Sequence, residues 1–276
     1  MVIPALKLLF AASCVLSICA NRCAAEEAKA AIPTPNGPRM ATEDADRESY
    51  IRRALNPPLD PTLQGRHADG GGTGFFVSTR DILTAYHVIA GCTMLTAEFG
   101  KDSETPALVT LITADPTSDL ALLRGDIVTS SPASFEGKLD RVDASDLSII
   151  GFPTRGLRRQ MPSVSRASAR PAEIHVTRRL FQFFGEVYPG HSGSPLLDEY
   201  AGVIGIVARK VNTVAVYRSS GRVVTNVAFA IPNPVALNFL DRNKIPYRQE
   251  QLQESLPPDA RLRRFGDVIV HITCWH

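Results

Sequence analysis

Three short stretches carry side chains able to make or break a covalent bond. They are Leu83-Thr84-Ala85-Tyr86-His87-Val88, Thr117-Ser118-Asp119-Leu120-Ala121-Leu122-Leu123 and Pro189-Gly190-His191-Ser192-Gly193-Ser194-Pro195-Leu196. Together they supply an imidazole, a carboxylate and a hydroxyl. A serine hydroxyl is a poor nucleophile until an imidazole removes its proton, and the imidazole needs an acidic partner to fix its tautomer and stabilise its charged form. The glycines around Ser192 meet a separate need, because a pair of backbone N–H groups, here Gly190 and Ser192, must face a developing oxyanion that a bulky side chain at 190 would obstruct. Asp115 competes with Asp119 for the acidic role. Asp119 is preferred because it directly precedes the apolar run Leu120 to Leu123, which can hold a carboxylate rigidly, whereas Asp115-Pro116 reads as a turn.

The elements that must position these groups read as strands. From about Ala68 to Pro246 short apolar runs alternate with turn residues, an all-β texture. Candidate strands are Gly74–Ser78, Ile82–Val88, Thr93–Phe99, Ala107–Ile112, Leu120–Arg124, Leu147–Phe152, Glu173–Gln182, Gly202–Ala208 and Val223–Ile231. Nine or more strands in about 180 residues suggest two small barrels of the six-stranded type, over 67–125 and 146–232, with a crevice between them. The segment between Gly125 and Asp146 is the connection. Pro234 at a first helical position, followed by Val235, Leu237, Phe239 and Leu240, predicts one short closing helix over 234–243. The region 67–246 is then one domain, and 247–276 is a C-terminal extension with a late strand candidate, Asp267 to Thr273, too short for an additional binding domain.

On these residues the chain resembles the trypsin-like serine proteases of the chymotrypsin fold. Histidine, aspartate and serine occur in that family's order. Gly72-Thr73-Gly74-Phe75-Phe76, Leu147-Ser148-Ile149-Ile150-Gly151-Phe152-Pro153 and Asn226-Val227-Ala228-Phe229-Ala230-Ile231-Pro232 are similar to the bacterial high-temperature-requirement branch. The resemblance covers roughly 70 to 245, as judged from these motifs. It implies His87 as general base and acid, Asp119 as its orienting partner, Ser192 as nucleophile and Gly190 as second oxyanion donor, in peptide-bond hydrolysis through an acyl-enzyme without metal or other cofactor. It also implies substrate-binding roles. Glu186, six residues before Ser192, falls in the segment resembling the primary substrate pocket, where a carboxylate attracts Lys or Arg; the competing reading is an outward-facing strand residue. Ala208, Arg209 and Lys210 resemble the strand that pairs with substrate backbone, which would welcome acidic side chains farther along the peptide. His191 stands where the digestive branch has an acidic residue. It is read either as touching substrate and tuning the pH response or, the favoured reading, as a solvent-facing loop histidine. Ser194 replaces a second glycine common in relatives.

Other activities fit less well. Gly190-His191-Ser192 is also similar to the nucleophile elbow of lipases and esterases, but that elbow needs glycine where Ser194 stands, and only His271 and His276 follow the serine. A catalytically quiet adaptor that keeps the fold for binding is the remaining alternative. The near balance of 30 Lys+Arg against 28 Asp+Glu argues against a nucleic-acid partner. The seven arginines between Arg155 and Arg179, against the single acid Glu173, read as a solvated basic loop or, alternatively, as a dock for an acidic protein or anionic surface.

The N-terminus reads as an export signal. Leu8 to Ala20 is apolar but too short to span a bilayer, and Cys23-Ala24-Ala25 offers small residues before a cut at Glu26. Residues 26–66, with prolines at 33, 35, 38, 57, 58 and 61, read as a linker or pro-segment. Removing 1–25 takes away Lys7 and Arg22, leaving 28 basic and 28 acidic residues. A secreted or periplasmic chain retains Cys92 and Cys274, which form either one disulfide or two buried thiols. His271, Cys274 and His276 cluster at the C-terminus without a separated fourth partner, so no metal site is expected.

Overall fold

The computed structural model describes residues 61–99, 106–139, 143–153, 161–170, 180–250 and 253–276, all within one compact unit that spans 46–276. The signal segment and residues 26–60 of the linker lie outside the described residues, as do Arg155, Arg158, Arg159, Arg178 and Arg179. The last residues of the linker are packed: Pro61–Leu63 form a 3-10 turn, Leu63 is fully buried, and Arg66 donates to Thr93 Oγ1 at 2.9 Å.

The first barrel is built from β1 (Ala68–Phe76), β2 (Asp81–Ala85), β3 (Met94–Phe99), β4 (Ala107–Asp115), β5 (Leu120–Gly125) and β14 (Ile269–Trp275), closed in the order β1-β14-β3-β4-β5-β2. The second contains β7 (Leu147–Gly151), β8 (Ser163–Ala169), β9 (Phe181–Gly185), β10 (Pro195–Leu197), β11 (Val203–Lys210) and β12 (Val227–Pro232), and closes where β10 pairs with β11. Two short strands, β6 (Ser134–Phe135) and β13 (Arg248–Gln249), extend its edge in parallel. The molecule is therefore mostly β, with two closed six-stranded barrels.

Each barrel has its own apolar filling. Phe76, Ile82, Ala121, Leu123, Val270 and Ile272 fill the first, and Leu147, Ile149, Phe181, Phe183, Leu196 and Val207 fill the second. A third cluster, including Phe75, Leu83, Leu122, Phe135, Ile150 and Ile206, joins residues from both. Strands β2 and β5 contribute alternate residues to two clusters, so their runs lack a polar face.

The extension has a place that the sequence reading does not give it. Its final strand, β14, lies between β1 and β3 and is the sixth stave of the first barrel, pairing Gly72 with Ile272 and Ala97 with Ile272 on its two sides. The barrel thus draws on 67–125 and on the far end of the chain. The alternation in Asp267 to Thr273 marks a strand, but its partners, from Phe99 opposite Val270 to Ala68 opposite Trp275, lie far away in the chain and leave no local signal. Upstream, helix α3 (Pro258–Phe265) fixes the tail to the second barrel: the fully buried Arg261 donates from Nη1 to Ser148 Oγ at 2.8 Å and to Asp146 Oδ1 at 3.1 Å. The closing helix α2 (Asn233–Arg242) follows β12, with Pro234 in its first turn.

Three more elements differ from the sequence reading. The run Ile82–Val88 is strand only to Ala85, after which Tyr86–Val88 forms a 3-10 turn. Strand β8 (SVSRASA) has little apolar content and was hidden in the arginine-rich stretch. Helix α1 (Thr213–Ser220), capped by Asn212 Oδ1 on Ala215 N, buries no residue and so carries no amphipathic pattern.

Cys92 and Cys274, with Cα atoms 5.3 Å apart, are joined as a disulfide that ties β14 to the loop after the His87 turn. The two ends are 182 residues apart, so closing that loop in the unfolded chain is worth about 5 kcal/mol on the chain-entropy view. Cys92→Ser, Cys274→Ser and the double variant are each expected to melt about 10 °C below the wild type, with no additivity. Dithiothreitol should lower the wild type to the same midpoint; a midpoint insensitive to both reductant and substitution would remove the bridge from the account.

Candidate active site

Strand β2 delivers His87 and strand β5 delivers Asp119 because the two strands pair in register, Ala85 opposite Leu120. Each candidate side chain sits just beyond the end of its strand. Asp119 then binds the His87 turn three ways: its carbonyl accepts from Tyr86 N at 3.0 Å, Oδ1 accepts from His87 N at 2.9 Å, and Oδ2 meets His87 Nδ1 at 2.8 Å. Asp119 has φ of +56°, a left-handed conformation that aspartate tolerates better than most residues. The strained turn is held by those bonds, and it aims the carboxylate at the imidazole. The His87 side chain is 45% exposed, and His87 lines a crevice with Tyr86, Asp119 and Leu180.

Asp115 is engaged elsewhere. It accepts from Thr117 N, Ser118 N and Ser118 Oγ, and pairs with Arg242 at 3.1 Å. Burial alone would raise its carboxyl, but those hydrogen bonds outweigh it and hold the group below the ordinary carboxylate range.

The Ser192 loop is bolted to the first barrel through Thr73, a fully buried residue of β1. Thr73 N donates to Ser192 O at 2.8 Å and Thr73 Oγ1 donates to Gly190 O at 2.8 Å. The same hydroxyl accepts from Phe152 N at 3.0 Å, and Thr73 O accepts from Thr84 Oγ1 at 2.8 Å. A Cβ on Gly72 would lie 2.7 Å from both Ser192 O and Val88 Cγ2, so the serine loop and the residue after His87 crowd one point. Gly190 (φ +90°) and Gly193 (φ +82°) take backbone conformations that favour glycine. Ser194 is accommodated by Gly151, where a Cβ would collide with the Ser194 hydroxyl. The sequence alone assigns Thr73 no role. Its signal was a polar residue between two glycines in a strand, which marks close backbone approach.

His191 departs from the sequence reading. It is fully buried, with Nδ1 accepting from Tyr188 N at 3.3 Å and its ring edge-on to Tyr188 at 5.9 Å. The bonds His191 N to Tyr188 O and Ser194 N to His191 O close the loop tightly and tuck the ring beneath it, so it is not a solvent-facing histidine. Glu186 is exposed and accepts from the Tyr188 hydroxyl at 2.7 Å. It borders a cavity of about 180 Å³ shared with Lys210, Thr213 and Asn226.

Ala208 and Arg209 line a larger crevice, about 610 Å³, with Tyr86, His87, Asp119 and Leu180. Beside the loop that follows the His87 turn, ligand atoms of Cys92, Cys274 and His276 lie within 4.8 Å of one another, but the two sulfurs are bonded to each other. His271 stands apart from that group, against the Phe152 ring at 5.4 Å. Among the described residues no helix is long and apolar enough to cross a membrane.

The paired barrels and the residues at their junction define the architecture of the chymotrypsin-fold proteases. Residues 72–206 match the family described as the trypsin-like peptidase domain, and the relatives that this chain is similar to include DegP-like serine endoproteases. The chain is 31% identical over 209 residues to an uncharacterized protein of Sinorhizobium fredii, covering 75% of this chain and 32% of that one. It is 31% identical over 202 residues to a probable periplasmic serine endoprotease, DegP-like, of Ectopseudomonas mendocina (72% and 40%). It is 30% identical over 180 residues to a serine protease of Mycobacterium tuberculosis (62% and 42%). The chain thus spans less than half the length of these relatives. The solved structure of the HtrA-type protease AlgW with decapeptide is 26% identical, with a TM-score of 0.47, covering 62% of this chain and 50% of that one.

Three acidic residues are buried around the turn after β10: Asp198 and Glu199 in the turn itself and Glu136 just after β6. Asp198 Oδ1 accepts from Tyr200 N and Gly202 N. Desolvation, together with the charges of Glu136 and Glu199, pushes the Asp198 carboxyl up to about 7. The folded chain therefore keeps a proton that the unfolded chain releases near pH 4, and stability falls as pH rises from about 4 through 7. Asp198→Asn keeps the acceptor and removes the charge. It is expected to melt about 5 °C higher than wild type at pH 8 and to match it at pH 4; an unchanged difference between the two pH values would show that Asp198 ionises normally.

Proposed function

We propose that the chain is an exported serine endopeptidase acting on polypeptides. The observation that carries this reading is the three-bonded contact of Asp119 with the His87 turn, which sets an exposed imidazole on the wall of the crevice while Thr73 of the same barrel holds the Ser192 loop by its Gly190 and Ser192 carbonyls. In the reaction, His87 takes the proton of Ser192 Oγ as that oxygen attacks the substrate carbonyl. Asp119 holds the Nδ1–H tautomer and stabilises the imidazolium that forms. The oxyanion is met by the N–H groups of Gly190 and Ser192. His87 then gives its proton to the leaving amine and afterwards activates the water that releases the acyl group. The apolar leader Leu8 to Ala20, and relatives described as periplasmic, support an exported location.

Glu186 is assigned to the primary substrate cavity, where Lys210 on the same rim offsets part of its attraction for basic side chains. His191 shapes this region from below and does not touch substrate. Of the seven arginines between 155 and 179, Arg166 and Arg170 are described and exposed, which suits a dock for an anionic surface or acidic partner.

A fluorophosphonate probe tests the reading without knowledge of the substrate. Wild type should label, while Ser192→Ala should not, and Ser192→Ala should lose peptidase activity by about a millionfold. Asp119→Asn should slow hydrolysis about ten-thousandfold, with Asp115→Asn far milder. Equal labelling of wild type and Ser192→Ala, or a larger loss at Asp115 than at Asp119, would overturn these roles. An unlabelled but folded wild type would favour the adaptor reading.

A further inference from the structure

The crevice beside His87 contains a cation with no acidic partner among the described residues. Arg209 lines it, with Ala208, Leu180, Tyr86 and the 116–119 turn. In a regular strand Ala208 and Arg209 would point to opposite faces. Here β11 carries a bulge: Val207 pairs with Ala230 and Arg209 with Phe229, leaving Ala208 as the extra residue between them. A bulge re-aims the side chains around it, and as a result both residues border one cavity. The guanidinium is then propped over the face of its cross-strand partner, 5.7 Å from the Phe229 ring centroid. That prop restricts a long side chain in advance of binding.

The charges around it are already committed. Asp119 is bound to His87, and Asp115, next to the cavity-lining Pro116, is bound to Ser118 and Arg242. Among the described residues Arg209 pairs with no carboxylate. The neighbouring backbone is also open. On the edge of β11 away from β12, strand β10 pairs only as far as Ile206, and the serine loop takes Val207 through Gly193 N to Val207 O and Val207 N to Ser194 O. Beyond Val207 no described strand covers that edge. An extended peptide can add there as a further strand, entering straight from the Ser192 loop. Its side chains, spaced about 3.3 Å per residue, would then pass the guanidinium within a few positions of the scissile bond.

We infer that this crevice is an acid-selecting subsite, and that Arg209 is the residue that sets the selection. The preferred substrates are polypeptide segments with Asp or Glu near the scissile bond, on the flank that lies along β11. A planar guanidinium with two free edges suits a carboxylate in bidentate contact. Because Arg209 is exposed, the attraction is screened by salt. This inference rests on the endopeptidase reading and specifies the substrate class for the same site.

The test is a set of fluorogenic peptides in which Glu, Gln and Lys are exchanged one position at a time, from four residues before to four after the cleaved bond, with kcat/KM read for each. Wild type should prefer Glu over Gln by about tenfold at one position, and the preference should shrink severalfold between low salt and 0.5 M NaCl. Arg209→Glu should reverse it, favouring Lys over Glu at that position, and Arg209→Lys should retain a reduced preference for Glu. Reversal cannot arise from misfolding. If wild type labels with fluorophosphonate yet shows no Glu preference at any position, the subsite inference fails while the endopeptidase reading stands. If wild type does not label, the underlying reading fails instead. The same Glu preference in Arg209→Glu would remove Arg209 from the role.

Discussion

One buried hydroxyl joins the two halves of the site. Thr73 belongs to the first barrel, but its Oγ1 donates to Gly190 O and accepts from Phe152 N, both in the second, while its own N–H holds the Ser192 carbonyl. A hydroxyl has one proton and two lone pairs, so this side chain is used in both directions at once. The glycines around it follow from the same constraint. A Cβ on Gly193 would strike Thr73 O, and one on Gly151 would press on Thr73 Oγ1 at 2.8 Å. The barrels approach as backbone against backbone, and only residues without side chains permit it.

The tail works on the same relation from outside. Strand β14 completes the first barrel, and α3 is anchored on the second through the buried guanidinium of Arg261. Only the guanidinium of this pair is out of water, the Asp146 side chain being 44% exposed, so removing the acid would leave a buried cation short of its partner. Here Arg261 makes its bonds to Asp146 and Ser148 at the start of β7, the strand that runs on toward Phe152. The tail thus spans both barrels, and the disulfide fixes its end beside the loop that follows His87. The first barrel, which carries the His87 side of the crevice, is completed by a segment whose composition resembles an appendage.

What the sequence reveals is chemistry and local pattern. His87, Asp119 and Ser192 stand out because each follows or opens an apolar strand, and the preference for Asp119 over Asp115 rests on that placement alone. The alternation in β14 and the proline at the start of α2 are equally local. What it conceals is contact between distant segments. Thr73 meets partners 79 and 117 residues away, so its sequence context shows only that something approaches closely. His191 is misread because a polar residue in a glycine-rich loop suggests solvent, whereas the loop curls over its own ring. The bulge at Ala208 breaks the period-two rule at the position where that rule would have sent Arg209 to the opposite face.

The central claim is that the Thr73 contacts hold the nucleophile loop in register with the imidazole. The most direct measurement is the rate of fluorophosphonate labelling in Thr73→Ser and Thr73→Val, compared at a temperature where circular dichroism shows both folded. Serine keeps the hydroxyl and should label within a fewfold of wild type. Valine keeps the shape but strands Gly190 O and Phe152 N, and should label about a hundredfold more slowly as the loop drifts from its productive position. Folded Thr73→Val that labels at the wild-type rate would contradict the account.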